Sequence, residues 1–152
     1  MLFEVLCLVG CSTFSGLTSL KFNTTTGKFE LFEVYNVTDV SYFAQASPNY
    51  VYVLGRQTPN NTLMRYHLSS ETPGKLVYDE SIALSENGAC YLNSNNLNNS
   101  AERLAIAYYN DGAVQFFDDN ITIQNGFEEG PKLKFMNFSN VDPSRQEAPH
   151  EH

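Results

Sequence analysis

Residues 18–32 read TSLKFNTTTGKFELF and residues 64–78 read MRYHLSSETPGKLVY, so a Gly-Lys turn twice separates two strand-like runs. In each run apolar and polar residues alternate, which is typical of a half-buried β-strand. A third copy begins with GAVQFF at residues 112–117. No stretch of ten or more residues has the apolar period of a helix. The sequence therefore predicts an all-β protein.

The spacing of these copies predicts a repeat architecture. Leu20 and Tyr66 are 46 residues apart, and Tyr66 and Val114 are 48 apart. Four-stranded blades of β-propellers repeat at about 40–50 residues. The 152 residues have room for about two complete four-stranded blades and the start of a third. We therefore expect residues 1–152 to form the N-terminal part of one incomplete propeller domain.

The need to bury both faces of every sheet adds a condition to the predicted propeller. One blade cannot bury both faces of its sheet, so blades stack face to face, and closed propellers have about four to eight of them. The last sheet must therefore be covered by the remaining blades or by self-association. A β-sandwich of short strands is the alternative fold.

Composition limits the possible partners. Apolar residues make up 42% of the chain and aromatic residues 13%, which suffices for a buried core. The formal net charge of −8 repels phosphate backbones and argues against a nucleic-acid partner. An anionic small substrate would need a local pocket containing arginine.

The N-terminus and the cysteines predict the compartment. The apolar run of residues 1–10 has no preceding Lys or Arg and is interrupted by Glu4, unlike an export signal. It is too short to span a bilayer, so we expect a buried strand and no membrane association. Cys7, Cys11 and Cys90 show no paired spacing, which favours reduced thiols. We therefore expect a cytoplasmic protein.

Four segments carry a resemblance to a known family. Residues 8–13 resemble a VGTYT-like opening strand, residues 23–31 a DPETGKL turn, and residues 46–53 an LSPDGRYLYV turn and strand. The most specific segment is RQEAPHEH at residues 145–152, which is close to RQEGPHAH. The turn motifs occur in many propellers, but together with the terminal segment they resemble the lactonase family of seven-bladed β-propellers, which includes propeller-type 6-phosphogluconolactonases and fungal 3-carboxymuconate lactonizing enzymes.

Two positions depart from the family pattern. Gly55-Arg56 stands where the family often has Asn-Glu, and Cys90-Tyr91 stands where Cys-His is common. The resemblance also covers under half of the family's usual length. Both substitutions fall on segments expected to border the substrate pocket, so the pocket should differ from that of typical members.

The terminal segment supplies the candidate site. His150 and His152 would project to the same side of a strand, about 6.5 Å apart, and a histidine can act as general base near neutrality. Arg145 can bind a phosphate or carboxylate in bidentate fashion. The resemblance implies that His152 is the functional histidine, supported by His150 and Arg145. Gln146 and Glu147 complete the expected substrate-binding set.

Other polar residues have simpler interpretations. His150 and His152 lack an evident third ligand, so no metal site is expected, and the resemblance implies no cofactor. We expect His67 to lie with Arg65 on the outward face of their strand, exposed to solvent. Arg56 ends a strand, where a structural salt bridge is expected, although it could contact an anion in the channel.

The resemblance implies hydrolysis of a sugar lactone, such as 6-phosphogluconolactone, with a small lactone or anionic sugar as the partner. A carboxymuconate cycloisomerase-like enzyme is one alternative, since it needs the same base and arginine. A truncated propeller that is non-catalytic or serves as a binding module is the other. In that case the terminal His-Glu-His would be a solvated tail.

Overall fold

The structure, a computed structural model, describes residues 4–10, 16–37, 39–56, 61–86, 88–98, 100–109 and 112–134. These ranges contain no helix, and hence none long and apolar enough to cross a bilayer. They form the following strands: β1 Glu4–Gly10, β2 Leu17–Asn23, β3 Lys28–Tyr35, β4 Val40–Gln45, β5 Tyr50–Arg56, β6 Asn61–Leu68, β7 Leu76–Ala83, β8 Ala89–Asn98, β9 Ala101–Tyr108, β10 Ala113–Asn120 and β11 Phe127–Lys134.

The strands form three antiparallel sheets in chain order. The first sheet holds β1–β3, the second β4–β7 and the third β8–β11. This all-β arrangement confirms the predicted partial propeller with two four-stranded sheets. Among the described strands, the three-stranded sheet is the first and not the last. Within the described residues, no strand pairs with β1 at the position that β4 and β8 occupy in the other two sheets.

Strand pairing aligns the three sheets residue by residue. Cys7 pairs with Leu20, and Val51 pairs with Tyr66. Phe117 pairs with Leu104 of β9 in the same way, so it is the counterpart of Tyr66. A register shift precedes Leu20, Tyr66 and Phe117 in the pairing with the outermost strand. The third copy therefore aligns on Phe117, three residues after Val114, the residue on which the sequence pattern aligned it.

The innermost position belongs to β4 and β8, the first strands of the second and third sheets. These two strands approach each other more closely than any other described strands of different sheets. Stacked propeller blades converge toward the central axis, so β4 and β8 form what we call the inner edge.

Two apolar cores lie between the sheets. The core between the first and second sheets contains Leu17, Val40, Val51, Val53, Met64, Tyr66 and Leu76. The core between the second and third sheets contains Tyr52, Leu54, Leu63, Leu104, Ile106, Tyr108 and Phe117. The second sheet is buried on both faces, which explains why the central part of β5 is apolar without interruption.

Two glycines with similar backbone angles provide a test of the packing. Gly16 and Gly27 have φ of 59° and 66°. A Cβ on Gly16 would lie 1.6 Å from the Val37 carbonyl oxygen, whereas a Cβ on Gly27 would meet nothing within 4 Å. We expect Gly27→Ala to lower the free energy of unfolding by about 1 kcal/mol, and Gly16→Ala by about 2–3 kcal/mol. Urea unfolding measures both, and equal losses would contradict the clash at Gly16.

Candidate functional site

The start of each inner strand contains a β-bulge with a tethered side chain. Ser41 occupies the bulge of β4, and its Oγ donates to the Leu54 carbonyl oxygen at 3.3 Å. Cys90 occupies the bulge of β8, and its Sγ donates to the Ala107 carbonyl oxygen at 3.5 Å. The two sites are equivalent, since β4 and β8 start their sheets in the same way. The predicted departure Cys90-Tyr91 therefore lies at the inner edge.

A tyrosine follows each bulge. The rings of Tyr42 and Tyr91 pack edge to face, with centroids 4.8 Å apart. Tyr42 also packs against the core between the second and third sheets. This aromatic pair lies on the two inner strands, where the family pattern would place a histidine at position 91.

Arg56 lies at the same end of the second sheet. Its backbone N–H donates to the Asp39 carbonyl oxygen at 2.8 Å, just before β4 begins. In the third sheet the Tyr109 N–H donates to the Gly88 carbonyl oxygen in the same way. The Arg56 side chain is exposed and forms no salt bridge within the described ranges, contrary to the expected structural role.

A cleft lies beside the start of β4. It has a volume of about 300 Å³ and is lined by Gly10, Val40, Ser41, Tyr42 and Phe43. A Cβ on Gly10 would lie 2.9 Å from Val40 Cγ1, so a larger residue at this position would narrow the cleft. The end of the molecule where the inner strands begin therefore offers a small, partly aromatic recess.

The residues predicted to act on substrate lie outside the described residues; they are Arg145, Gln146, Glu147, His150 and His152. Within the described part of the chain, no group of three or more His, Cys, Asp or Glu side chains could hold a metal ion.

The expectation for Arg65 is wrong. Arg65 is 3% exposed and points toward the third sheet. His67 follows the β6 register shift and is partly exposed, with Nδ1 lying 2.6 Å from Asp79 Oδ1. Arg65 is buried because the third sheet and the outer strand of its own sheet present carboxylates to it.

Arg65 is the centre of a buried ion network between the second and third sheets. Its Nη1 lies 2.5 Å from Asp119 Oδ1, and its Nη2 lies 2.9 Å from Glu80 Oε1. Asp119 also accepts a hydrogen bond from the Tyr52 hydroxyl at 2.6 Å. Glu80 accepts one from the Gly126 N–H at 3.1 Å. One cation thus binds carboxylates from two adjacent sheets.

Burial sets the protonation energetics of this network. Desolvation raises the pKa of Asp119 above its ordinary value, although the hydrogen bonds from Tyr52 and Arg65 act in the opposite direction. Burial lowers the pKa of Arg65, but the hydrogen bond and charge of Asp119 outweigh burial and raise it. Burial and the hydrogen bond to Asp119 also raise the pKa of Tyr52. These groups bind one another, so the network joins sheets and is not a substrate site.

The sequence pattern does not predict this network. An arginine in an alternating strand is expected to face outward, and its partner Asp119 lies more than 50 positions away from it in the sequence. The one local signal was the apolar residues on both sides of Arg65, which indicate a strand buried on both faces.

Comparison with known proteins supports the architecture. A family model described as "Lactonase, 7-bladed beta-propeller" matches residues 6–152. The chain is similar to the crystal structure of a candidate 6-phosphogluconolactonase from Bacteroides fragilis, with a TM-score of 0.70 and 20% identity over 94% of this chain and 39% of that chain. A protein from Lactobacillus plantarum gives a TM-score of 0.65 and 11% identity over 89% of this chain and 38% of that one.

At these identities the two structures show the shared fold alone. The chain spans about two fifths of the length of each. Comparison with curated proteins finds no match.

Proposed function

The chain belongs to the seven-bladed lactonase β-propeller family, and from that membership we propose that the protein hydrolyses a sugar lactone such as 6-phosphogluconolactone. The family match over residues 6–152 carries the proposal, because it includes the specific RQEAPHEH segment. We place this activity in carbohydrate metabolism in the cytoplasm. The description of the Bacteroides fragilis protein agrees with this substrate class.

The proposed chemistry uses few groups. In lactone hydrolysis the ring C–O bond breaks, and the ring oxygen takes up a proton and leaves as a hydroxyl group. The reaction begins when a water molecule loses a proton as its oxygen attacks the ring carbonyl carbon. We assign that proton transfer to His152, with His150 in support. Arg145 binds the phosphate or carboxylate of the substrate, and Gln146 and Glu147 contact its hydroxyl groups.

The local charge at the start of the inner strands is suited to an anionic substrate. The protein has a net charge of −8, which opposes an anion at long range. Arg56 is an exposed cation beside the start of β4, and within the described ranges no carboxylate neutralises it. It replaces the acidic residue that the family pattern often has there. A phosphorylated sugar lactone would therefore meet positive charge at this end of the channel.

Exposed apolar side chains on the outer strands indicate which partners the terminal sheets need. Phe29 and Leu31 on β3 are 59% and 67% exposed, and Leu133 on β11 is 50% exposed. Such residues on the outer strands of the first and third sheets are consistent with incomplete burial of both terminal sheets. We propose that further blades, or association of copies, cover these faces to close the propeller.

Lactone hydrolysis by the purified protein tests the proposal. We expect a measurable rate with 6-phosphogluconolactone and a kcat/KM at least about tenfold lower with unphosphorylated gluconolactone, because the phosphate contacts to arginine are lost. A pH-stat measures proton release above the spontaneous rate, and urea-unfolded protein is the control. Folded protein that accelerates neither reaction would overturn the proposal, and turnover of a carboxymuconolactone alone would favour the cycloisomerase.

A further inference from the structure

A second recess lies between the first and second sheets, on the outer strands and away from the inner edge. It has a volume of about 520 Å³, within the range of small-molecule sites. Its lining combines three aromatic rings with one acid and one base; these residues are Glu33, Tyr35, Tyr66, Lys75 and Tyr78. We call it the tyrosine cleft. The proposed lactonase chemistry makes no use of it.

The repeat explains why Glu33 has no buried arginine as its partner. Glu33 pairs with Ser19 across β2 and β3, and Glu80 pairs with Arg65 at the equivalent position of β6 and β7. Each pair directly precedes the register shift. The first sheet therefore carries the glutamate of the ion network but has serine in place of arginine. Ser19 is fully buried and its Oγ lies 3.3 Å from the Tyr35 hydroxyl, so a pair of neutral hydroxyl groups replaces the guanidinium at this step of the repeat.

The next pair of sheets shows how a glutamate and aromatic rings hold a cation in this protein. The Arg65 guanidinium lies 6.0 Å from the Tyr50 ring centroid and 5.8 Å from that of Phe127, and it forms an ion pair with Glu80. The tyrosine cleft has the same kinds of group. The ring centroids of Tyr35 and Tyr66 are 6.2 Å apart, and the glutamate is Glu33. Aromatic faces and a carboxylate together form a cation site.

Glu33 is only weakly neutralised by its own chain. Its Oε2 lies 3.8 Å from Lys75 Nζ, and the two side chains are 38% and 44% exposed. An exposed ion pair at that distance contributes little and exchanges readily. A ligand cation can therefore displace the lysine, whose long side chain can turn into solvent.

Tyr66 provides an independent indication of a ligand. It is 6% exposed and lines the cleft, yet its hydroxyl contacts only the Met64 sulfur within the described residues, at 3.9 Å. A thioether is a weak acceptor, so the hydroxyl can exchange this contact for a stronger hydrogen bond to a ligand. Burial and the nearby Tyr78 and Tyr35 raise the pKa of Tyr66 to about 12, so it remains a protonated donor at neutral pH.

We propose that the tyrosine cleft binds a small organic cation, an alkylguanidinium or alkylammonium group. The cation contacts the Glu33 carboxylate and the tyrosine rings. The Tyr66 hydroxyl hydrogen-bonds to a polar atom of the same ligand. The net charge of −8 attracts such ligands and repels anions from this surface.

Titration with methylguanidinium, followed in ¹H–¹⁵N NMR spectra of the full chain, tests the proposal. We expect saturable shifts of the amides of Glu33, Tyr66 and Tyr78, with methylurea, the neutral isostere, binding at least about tenfold more weakly. No lactone is present, so the outcome is independent of the proposed hydrolysis. Absence of saturable shifts, or equal binding of methylurea, would overturn the cation site.

Two variants locate the charge and ring contributions. Glu33→Gln should weaken methylguanidinium binding at least about tenfold, whereas Glu129→Gln, the same change on the exposed face of β11, should leave it unchanged. Tyr78→Leu removes an exposed ring and should weaken binding about threefold. Spectra of the free variants check the fold. Unchanged affinity in folded Glu33→Gln would overturn the assignment, and so would unchanged affinity in Tyr78→Leu if the first variant is unfolded.

Discussion

Replacing Arg65 with methionine is expected to lower the free energy of unfolding by about 3–5 kcal/mol. Methionine preserves much of the buried aliphatic volume but removes the only cation that contacts both Asp119 and Glu80 among the described residues. Asp119 is fully buried, so its charge would lose its ion pair without gaining water. Urea unfolding at neutral pH, followed by circular dichroism, measures the loss.

A second arginine of the chain is the matched control. Arg103 forms hydrogen bonds to Asp118 at 2.7 and 2.8 Å, but both side chains are about half exposed. Water replaces the partner when such a pair is broken, so Arg103→Met should leave the urea midpoint unchanged. Equal shifts of the urea midpoint in the two variants would show that the buried Arg65 network stabilises the fold no more than an exposed ion pair does.

The pH dependence identifies the residue responsible. Burial raises the pKa of Asp119 in the folded state, and loss of Arg65 raises it further because the charged form loses its cation. A carboxyl whose folded pKa exceeds its unfolded value loses stability as pH rises through that interval. The deficit of Arg65→Met should therefore shrink as pH falls and Asp119 becomes protonated. A deficit independent of pH would point to lost packing instead.

His152→Ala is expected to reduce kcat/KM for 6-phosphogluconolactone by about 10²–10⁴-fold. The loss should appear in kcat, since a general base acts on the attacking water and contributes little to substrate affinity. Initial rates over a range of lactone concentrations separate the two parameters.

The matched control is another histidine of the same chain. His67 lies on β6, where its Nδ1 lies 2.6 Å from Asp79 Oδ1, and it is partly exposed. His67→Gln should keep wild-type kcat and KM. If His152→Ala retained full activity, His152 would have no part in the reaction, and an equal loss in His67→Gln would indicate a general effect on folding.

The all-β class and the repeat could be predicted because their signals are local. Asn23 Oδ1 accepts hydrogen bonds from the N–H groups of Thr25 and Thr26, and Ser69 Oγ does the same for two residues of the equivalent turn. Gly27 and Gly74 then adopt φ of 66° and 86° in these turns. Turn chemistry and alternation depend on residues only a few positions apart.

The register of the third copy could not be predicted from the same signals. Alternation is unchanged by a shift of two residues, and a β-bulge reverses it. The bulge of β10 lies between Gln115 and Phe117, and it appears only once β11 is paired. The sequence-based match to Val114 was therefore three residues from the true counterpart, Phe117.

By itself the sequence determined the strands, the Gly-Lys turns, the blade period and the family, because these depend on local backbone chemistry and on a specific motif. Only the tertiary structure decided that Arg65 is buried, that Glu33 lacks the arginine of its counterpart Glu80, and that the first sheet has three strands among the described residues. Each of these depends on which sheet faces which, and alternation along a strand shows which residues share a face but not what that face contacts.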